Sequence, residues 1–125
     1  MAYNILVVDD HPINLELLVS LLEAHGYGVQ TACDAPSALA SIQSQKPDLI
    51  LMDLQLPGLD GYGLTRKLKS AASTANIPII AVTSYAMAGD KQKALAAGCD
   101  EHVAKPIDTR AFPGLVARFL RPQTA

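Results

Sequence analysis

The chain has no tryptophan, only two cysteines, and aromatic residues at 5 % of the whole. No apolar run approaches the ~18 residues of a membrane-spanning helix. The opening "MAYNILVV" lacks the basic region, long apolar stretch and small-residue cleavage site of a secretory signal. These absences lead to the expectation of a soluble, cytoplasmic protein with no membrane insertion. Cys33 and Cys99 fit neither a CxxC pair nor a Cys/His ligand spacing, so both read as reduced, small apolar residues. Charged residues make up 18 % with a net charge of −2, and the lysines and arginines are spread out. No basic patch is left for direct contact with nucleic acid.

What is present is a regular alternation of short apolar runs and longer amphipathic ones. The 125 residues suit one domain, with a core over about 4–120 and a frayed polar tail at 121–125. The starting Met favours a whole protein over an excised piece. Strands are predicted at 4–8, 28–32, 48–53, 77–84 and, short, within 100–106. Helices are predicted at 13–26, 35–45, about 61–70, 88–98 and 108–120. Gly26 stands where a helix C-terminal glycine belongs. Pro113 and Gly114 fall inside the first two turns of the last helix, which predicts a bent or irregular start. Strand–helix units with short links give an α/β fold: a parallel five-stranded sheet covered by helices on both faces, a (βα)5 three-layer sandwich.

Sheets of this kind place their sites at the carboxyl ends of the strands, where chain order reverses. The residues there are Asp9 and Asp10, Asp53, Thr83 with Ser84, and Lys105. Two like charges about 4 Å apart repel by roughly 4 kcal/mol at an effective dielectric of about 20. Three carboxylates in one crevice therefore call for a counter-charge, and a hard divalent cation supplies it. Magnesium takes oxygen ligands, keeps several waters, and is typically held by one or two carboxylates plus a phosphate. Asp10 and Asp53 are the expected direct ligands, with Asp9 acting through water; the plainer role for Asp9 or Asp10 is capping the first helix. His11 reads as a bystander at the helix entrance. Mg²⁺, Lys105 and Thr83 together suit the oxygens of a transferring phosphoryl group. Asp53, ending the central strand, is the natural nucleophile for an aspartyl-phosphate.

At these residues the sequence resembles the receiver domain of two-component response regulators. The stretches "VVDDHPIN", "LILMDLQLPGLDGY", "IIAVTS" and "AGCDEHVAKPID" carry the resemblance, in order, over about residues 4–120. The resemblance implies the flavodoxin-like strand order 2-1-3-4-5. It makes Asp53 the phosphoacceptor and assigns Asp9 and Asp10 to Mg²⁺, with the backbone carbonyl of Gln55 as a further metal ligand. Thr83 becomes the hydroxyl that moves toward the phosphate, Lys105 its cationic partner, and Lys105–Pro106 a cis peptide. His102 stands where the family often has a rotating Tyr or Phe; it is smaller, and its plainer reading is a half-exposed strand residue. Tyr85 and Gln55 fall on positions that tune phosphate lifetime.

The reading that follows is a signalling switch, not an enzyme, although it catalyses its own phosphorylation and dephosphorylation at Asp53. Its donor is a phosphohistidine on a histidine kinase or a histidine phosphotransfer protein within a phosphorelay. Its output is a protein partner on the surface of the fourth helix, fifth strand and fifth helix, with 85–95 as the contact segment; a monomer or weak dimer is expected. An aspartyl-phosphate phosphatase fits less well, because the position two after Asp9 is His11 and not an acid. A flavin carrier fits less well because "DDHPIN" would repel a phosphate. A receiver-like module that never takes phosphate is disfavoured by the intact Asp10, Asp53, Thr83 and Lys105.

Overall fold

The runs "NILVV", "LILMD" and "IIAVT" become β1 (Asn4–Val8), β3 (Leu49–Asp53) and β4 (Ile79–Thr83). Strands with four consecutive apolar residues and one polar end belong inside a parallel sheet with both faces covered. β2 (Gly28–Ala32) and β5 (Glu101–Ala104) flank them, and the order is β2-β1-β3-β4-β5, all neighbours parallel. This is the flavodoxin-like arrangement, with chain order reversing between β1 and β3. The computed structural model describes residues 3–54, 61–83, 90–104 and 108–120.

Because strand side chains alternate, β1, β3 and β4 each feed two cores. Leu6, Val8, Ile50, Met52, Ile79 and Ala81 pack with Ala38 and Ile42 of α2 (Ala35–Ser44), Leu64 and Leu68 of α3 (Gly61–Ser70) and Ala94 of α4 (Asp90–Ala97). Ile5, Val7, Leu49, Leu51 and Ile80 pack with Leu18 and Leu22 of α1 (Pro12–Ala24) and Phe112, Val116 and Leu120 of α5 (Phe112–Leu120). A full burial of one such Leu or Ile is worth about 1.5–3 kcal/mol. No described helix is long and apolar enough to cross a membrane.

Local signals set the helix ends. α1 closes with Gly26 at φ +86, while the Tyr27 N–H reaches back to the Leu22 carbonyl and the Gly26 N–H to Glu23. Only a residue without Cβ takes that left-handed turn cheaply. α2 opens on a capping box in which the Asp34 carboxylate accepts from the Ser37 N–H at 2.8 Å.

Two expectations change. The irregular start of α5 is a separate turn: the Asp108 carboxylate accepts from the N–H groups of Arg110 and Ala111, and the helix begins only at Phe112. Pro113 then sits in the first helical turn, where its missing N–H had no partner to lose. Cys33 is exposed and only Cys99 is buried, both free. Burial pushes the Cys99 thiol up from its ordinary pKa, and a contact with the Thr65 hydroxyl at 3.7 Å opposes that shift in part. The expected frayed tail at 121–125 lies outside the described residues.

Candidate metal centre

The sheet register aligns the acids. Val8 pairs with Met52, so Asp9, the next residue along β1, lies level with Asp53 at the carboxyl end of β3. Asp53 itself pairs with Val82, and Thr83 closes β4 opposite Ala104. The chain is held at this edge by the Asp9 N–H, which donates to the Ala32 carbonyl at 3.0 Å.

Asp9 and Asp53 are almost completely buried, at 1 % and 2 % exposure, whereas Asp10 stands at the rim. Asp9, Asp10, His11 and Asp53 each offer a donor atom, all within 4.8 Å of one another. Burying carboxylates at that separation is unfavourable without positive charge between them. Oxygen-rich donors partly open to water are the set a hard divalent cation takes. The residues present therefore fit such an ion.

The helix-cap alternative for Asp9 and Asp10 fails. The residue before α1 is His11, in extended backbone at φ −95 and ψ 113, and no side chain caps the helix there. The Asp9 carboxylate instead accepts from the His11 N–H at 2.9 Å. The bystander reading of His11 also fails, since its Nδ1 lies 3.3 Å from Asp9 Oδ1 and 3.1 Å from Asp10 Oδ1.

Gly61 is a further residue of the site that sequence reasoning missed. Its N–H donates to the Leu54 carbonyl at 3.2 Å. A Cβ there would stand 2.5 Å from both the Asp53 carbonyl oxygen and Leu54 Cα. Only glycine lets the start of α3 lie against the strand end that carries Asp53. The signal available was the Asp60-Gly61 pair, which reads as a turn and says nothing of close approach.

Of the other predicted residues, His102 lies in β5 paired with Ala81, half-buried, its N–H donating to Glu101 Oε1 and its Nε2 buried without a hydrogen-bond partner among the described residues. Gln55, Tyr85, Lys105 and Pro106, the cis-peptide expectation among them, fall outside the described residues, as do residues 85–89 of the 85–95 segment.

Buried acids at the reversal point of a doubly wound parallel sheet define a class: α/β proteins that handle phosphate or metal at the carboxyl edge. The comparisons narrow it. The family model for the response regulator receiver domain matches residues 5–117, and the chain belongs to that family. It is 43 % identical over 108 residues to the response regulator PleD of Caulobacter vibrioides, an alignment covering 86 % of this chain and 24 % of PleD. The chain thus spans about a quarter of that relative. The polar-differentiation response regulator DivK of Brucella anthropi is 36 % identical over 120 residues, covering 96 % of this chain and 98 % of DivK. Among solved structures, the receiver domain of a sensor histidine kinase from Pseudomonas aeruginosa PAO1, with a magnesium ion in its active-site cleft, superposes at a TM-score of 0.87. It is 35 % identical and covers 96 % of this chain and 98 % of that one.

Proposed function

We propose that this receiver is a phosphorylation switch in which Asp53 accepts a phosphoryl group from a phosphohistidine on a histidine kinase or phosphotransfer protein. The observation that carries this reading is the buried Asp53 carboxylate gathered with Asp9 and Asp10 at the carboxyl edge. Asp9, Asp10 and Asp53, with the Gln55 carbonyl, would hold Mg²⁺. When bound, that ion neutralises phosphoryl oxygens and draws them toward the acids.

An Asp53 carboxylate oxygen attacks phosphorus, a P–O bond forms, the P–N bond to the donor imidazole breaks, and that imidazole leaves with a proton. Burial of Asp53 excludes bulk water and strengthens every charge interaction around it. Thr83 and Lys105 are assigned to the phosphoryl oxygens, the hydroxyl as a donor and the ammonium as a charge. Hydrolysis later returns phosphate and the free carboxylate, with Tyr85 and Gln55 setting how long the acyl phosphate lasts. The chain acts as a switch in the cytoplasm and turns over no separate substrate.

A protein donor needs a surface beside the crevice. Ile13 and Leu17 on α1 are exposed at 80 % and 46 % and stand one helical turn apart just beyond His11, an apolar pair suited to that contact. Output passes through the α4–β5–α5 face, with His102 as its pivot. That face includes a groove of about 510 Å³ lined by Val103, Phe112, Leu115 and Arg118, and Leu95 is exposed nearby in sequence on α4. Phosphorylation shifts the population between two states by contacts made in only one of them.

The test is intact mass after incubation with a small phosphodonor and Mg²⁺. One added phosphoryl mass on the wild type and none on Asp53→Asn is expected. No adduct on the wild type with any donor would leave a receiver-shaped interaction module.

A further inference from the structure

His11 has no part in the phosphoryl chemistry above, yet its ring is placed as closely as any carboxylate of the site. The imidazole does not cap α1. Its Nδ1 turns to the acids, 3.1 Å from Asp10 Oδ1 and 3.3 Å from Asp9 Oδ1. The main-chain N–H of the same residue fixes that Asp9 oxygen at 2.9 Å. A single nitrogen therefore faces two carboxylate oxygens, and all three belong to a donor group closed by Asp53.

Those separations have a meaning in coordination geometry. Two neighbouring ligands of an octahedral ion with bonds of about 2.1 Å stand about 3.0 Å apart. Two ligands of a tetrahedral zinc-like ion, with bonds of about 2.0–2.1 Å, stand about 3.3 Å apart. Both Nδ1–oxygen distances, 3.1 and 3.3 Å, fall within this range, so the nitrogen stands from each oxygen at the separation of two neighbouring ligands. With the ring proton on Nδ1 these are hydrogen-bond separations to the acids; with it on Nε2, the Nδ1 lone pair points to the place a cation between those oxygens would take. The His11 side chain is 61 % exposed, so no packing against the core holds the ring there.

We propose that His11 Nδ1 is a fourth protein donor to the divalent cation of this site and sets its metal preference. Magnesium gains little from nitrogen, whereas first-row transition ions gain much, in the order manganese, iron, cobalt and nickel. A carboxylate-only crevice takes Mg²⁺; the imidazole makes this one a strong site for Mn²⁺ or Co²⁺ as well. The inference rests on the reading of the crevice as the cation site of a phosphorylation switch.

The test compares wild type with His11→Ala, which removes the ring and keeps the N–H that holds Asp9. Affinities for Mg²⁺ and Co²⁺ are measured by calorimetry at one pH, and circular dichroism confirms the fold. The variant is expected to lose about tenfold or more in Co²⁺ affinity while Mg²⁺ affinity changes by less than about twofold. Mn²⁺ bound to the wild type is expected to show ¹⁴N coupling by pulsed electron paramagnetic resonance, absent in the variant. Equal losses for both metals, no loss for either, or tighter Mg²⁺ binding by the variant would overturn the proposal, the last making His11 a counter-charge that the metal displaces. Failure of the wild type to bind either ion would overturn the cation site itself; normal Mg²⁺ binding with no ¹⁴N coupling refutes only the role of His11.

Discussion

At the amino edge of the sheet, aspartates are tied into the frame one at a time. Asp48 accepts from the Asn4 N–H at 2.8 Å and fastens β3 to β1. Asp100 accepts from the Ile79 N–H at 2.8 Å and from Lys69 Nζ at 2.9 Å, and the same ammonium donates to the Ile77 carbonyl. At the carboxyl edge, three aspartates and a histidine converge on one point, and two of the acids are buried. A carboxylate matched to its own donors stabilises a joint between strands. Carboxylates gathered around one point repel one another and so favour a cation between them.

Four experiments test whether the edges are as different as this. The largest effect belongs to Gly61→Val, whose branched side chain would meet backbone at the end of β3. A loss of about 3 kcal/mol or more is expected in urea unfolding, with phosphoryl uptake impaired even in the folded fraction. Lys69→Met attacks the other edge. It removes the ammonium from Asp100 and Ile77 and is expected to cost about 2 kcal/mol, Asp100 being partly exposed to water. Phosphoryl uptake in that variant should persist; its loss without unfolding would show that the two edges are coupled.

Third, thiol labelling at pH 8 should modify Cys33 readily and Cys99 at least about tenfold more slowly, because burial raises the Cys99 thiol's pKa and blocks access. Lys69→Met should widen that gap, since the Lys69 ammonium opposes the rise in the Cys99 pKa and lies beside this corner: a Cβ at Gly98, next to Cys99, would stand 2.8 Å from Lys69 Cγ.

The smallest effect is at Asp34, just past the carboxyl end of β2 and outside the acidic cluster. Hydrogen bonds from the Ser37 side chain and then its N–H hold the carboxyl below the ordinary carboxylate value. Its contribution is complete above pH 3.8, the unfolded value, and is lost as pH falls through the lower folded pKa. Asp34→Ala should therefore remove a slight acid-side slope from the stability curve, read by thermal melts between neutral and acid pH.

Most of the frame was legible in the sequence because its signals are local. Apolar runs at 4–8 and 48–53 read as buried strands, the second beginning one residue later in the fold, and Gly26 marks the end of α1 on conformational grounds. Asp9, Asp10 and Asp53 were legible as a set because strand ends in such a sheet share one edge. Pro113 misled because its ring is tolerated in a first helical turn, and where that turn begins is decided by the Asp108 carboxylate. His11, Gly61 and the Lys69–Asp100 pair were not legible. Each depends on a distance across the fold that no spacing in the chain encodes: Lys69 and Asp100 meet only because the end of α3 packs beside the start of β5.

The central claim is that the carboxyl edge takes a phosphoryl group on Asp53 while the amino edge only holds the sheet. Transfer of radiolabelled phosphoryl from a phosphohistidine donor should be compared among wild type, Asp53→Asn and Asp100→Asn, each with Mg²⁺ and with a chelator. Label on the wild type and on Asp100→Asn, only with Mg²⁺, and none on Asp53→Asn is the predicted result. Label that survives Asp53→Asn, or that forms equally well in the chelator, would contradict it.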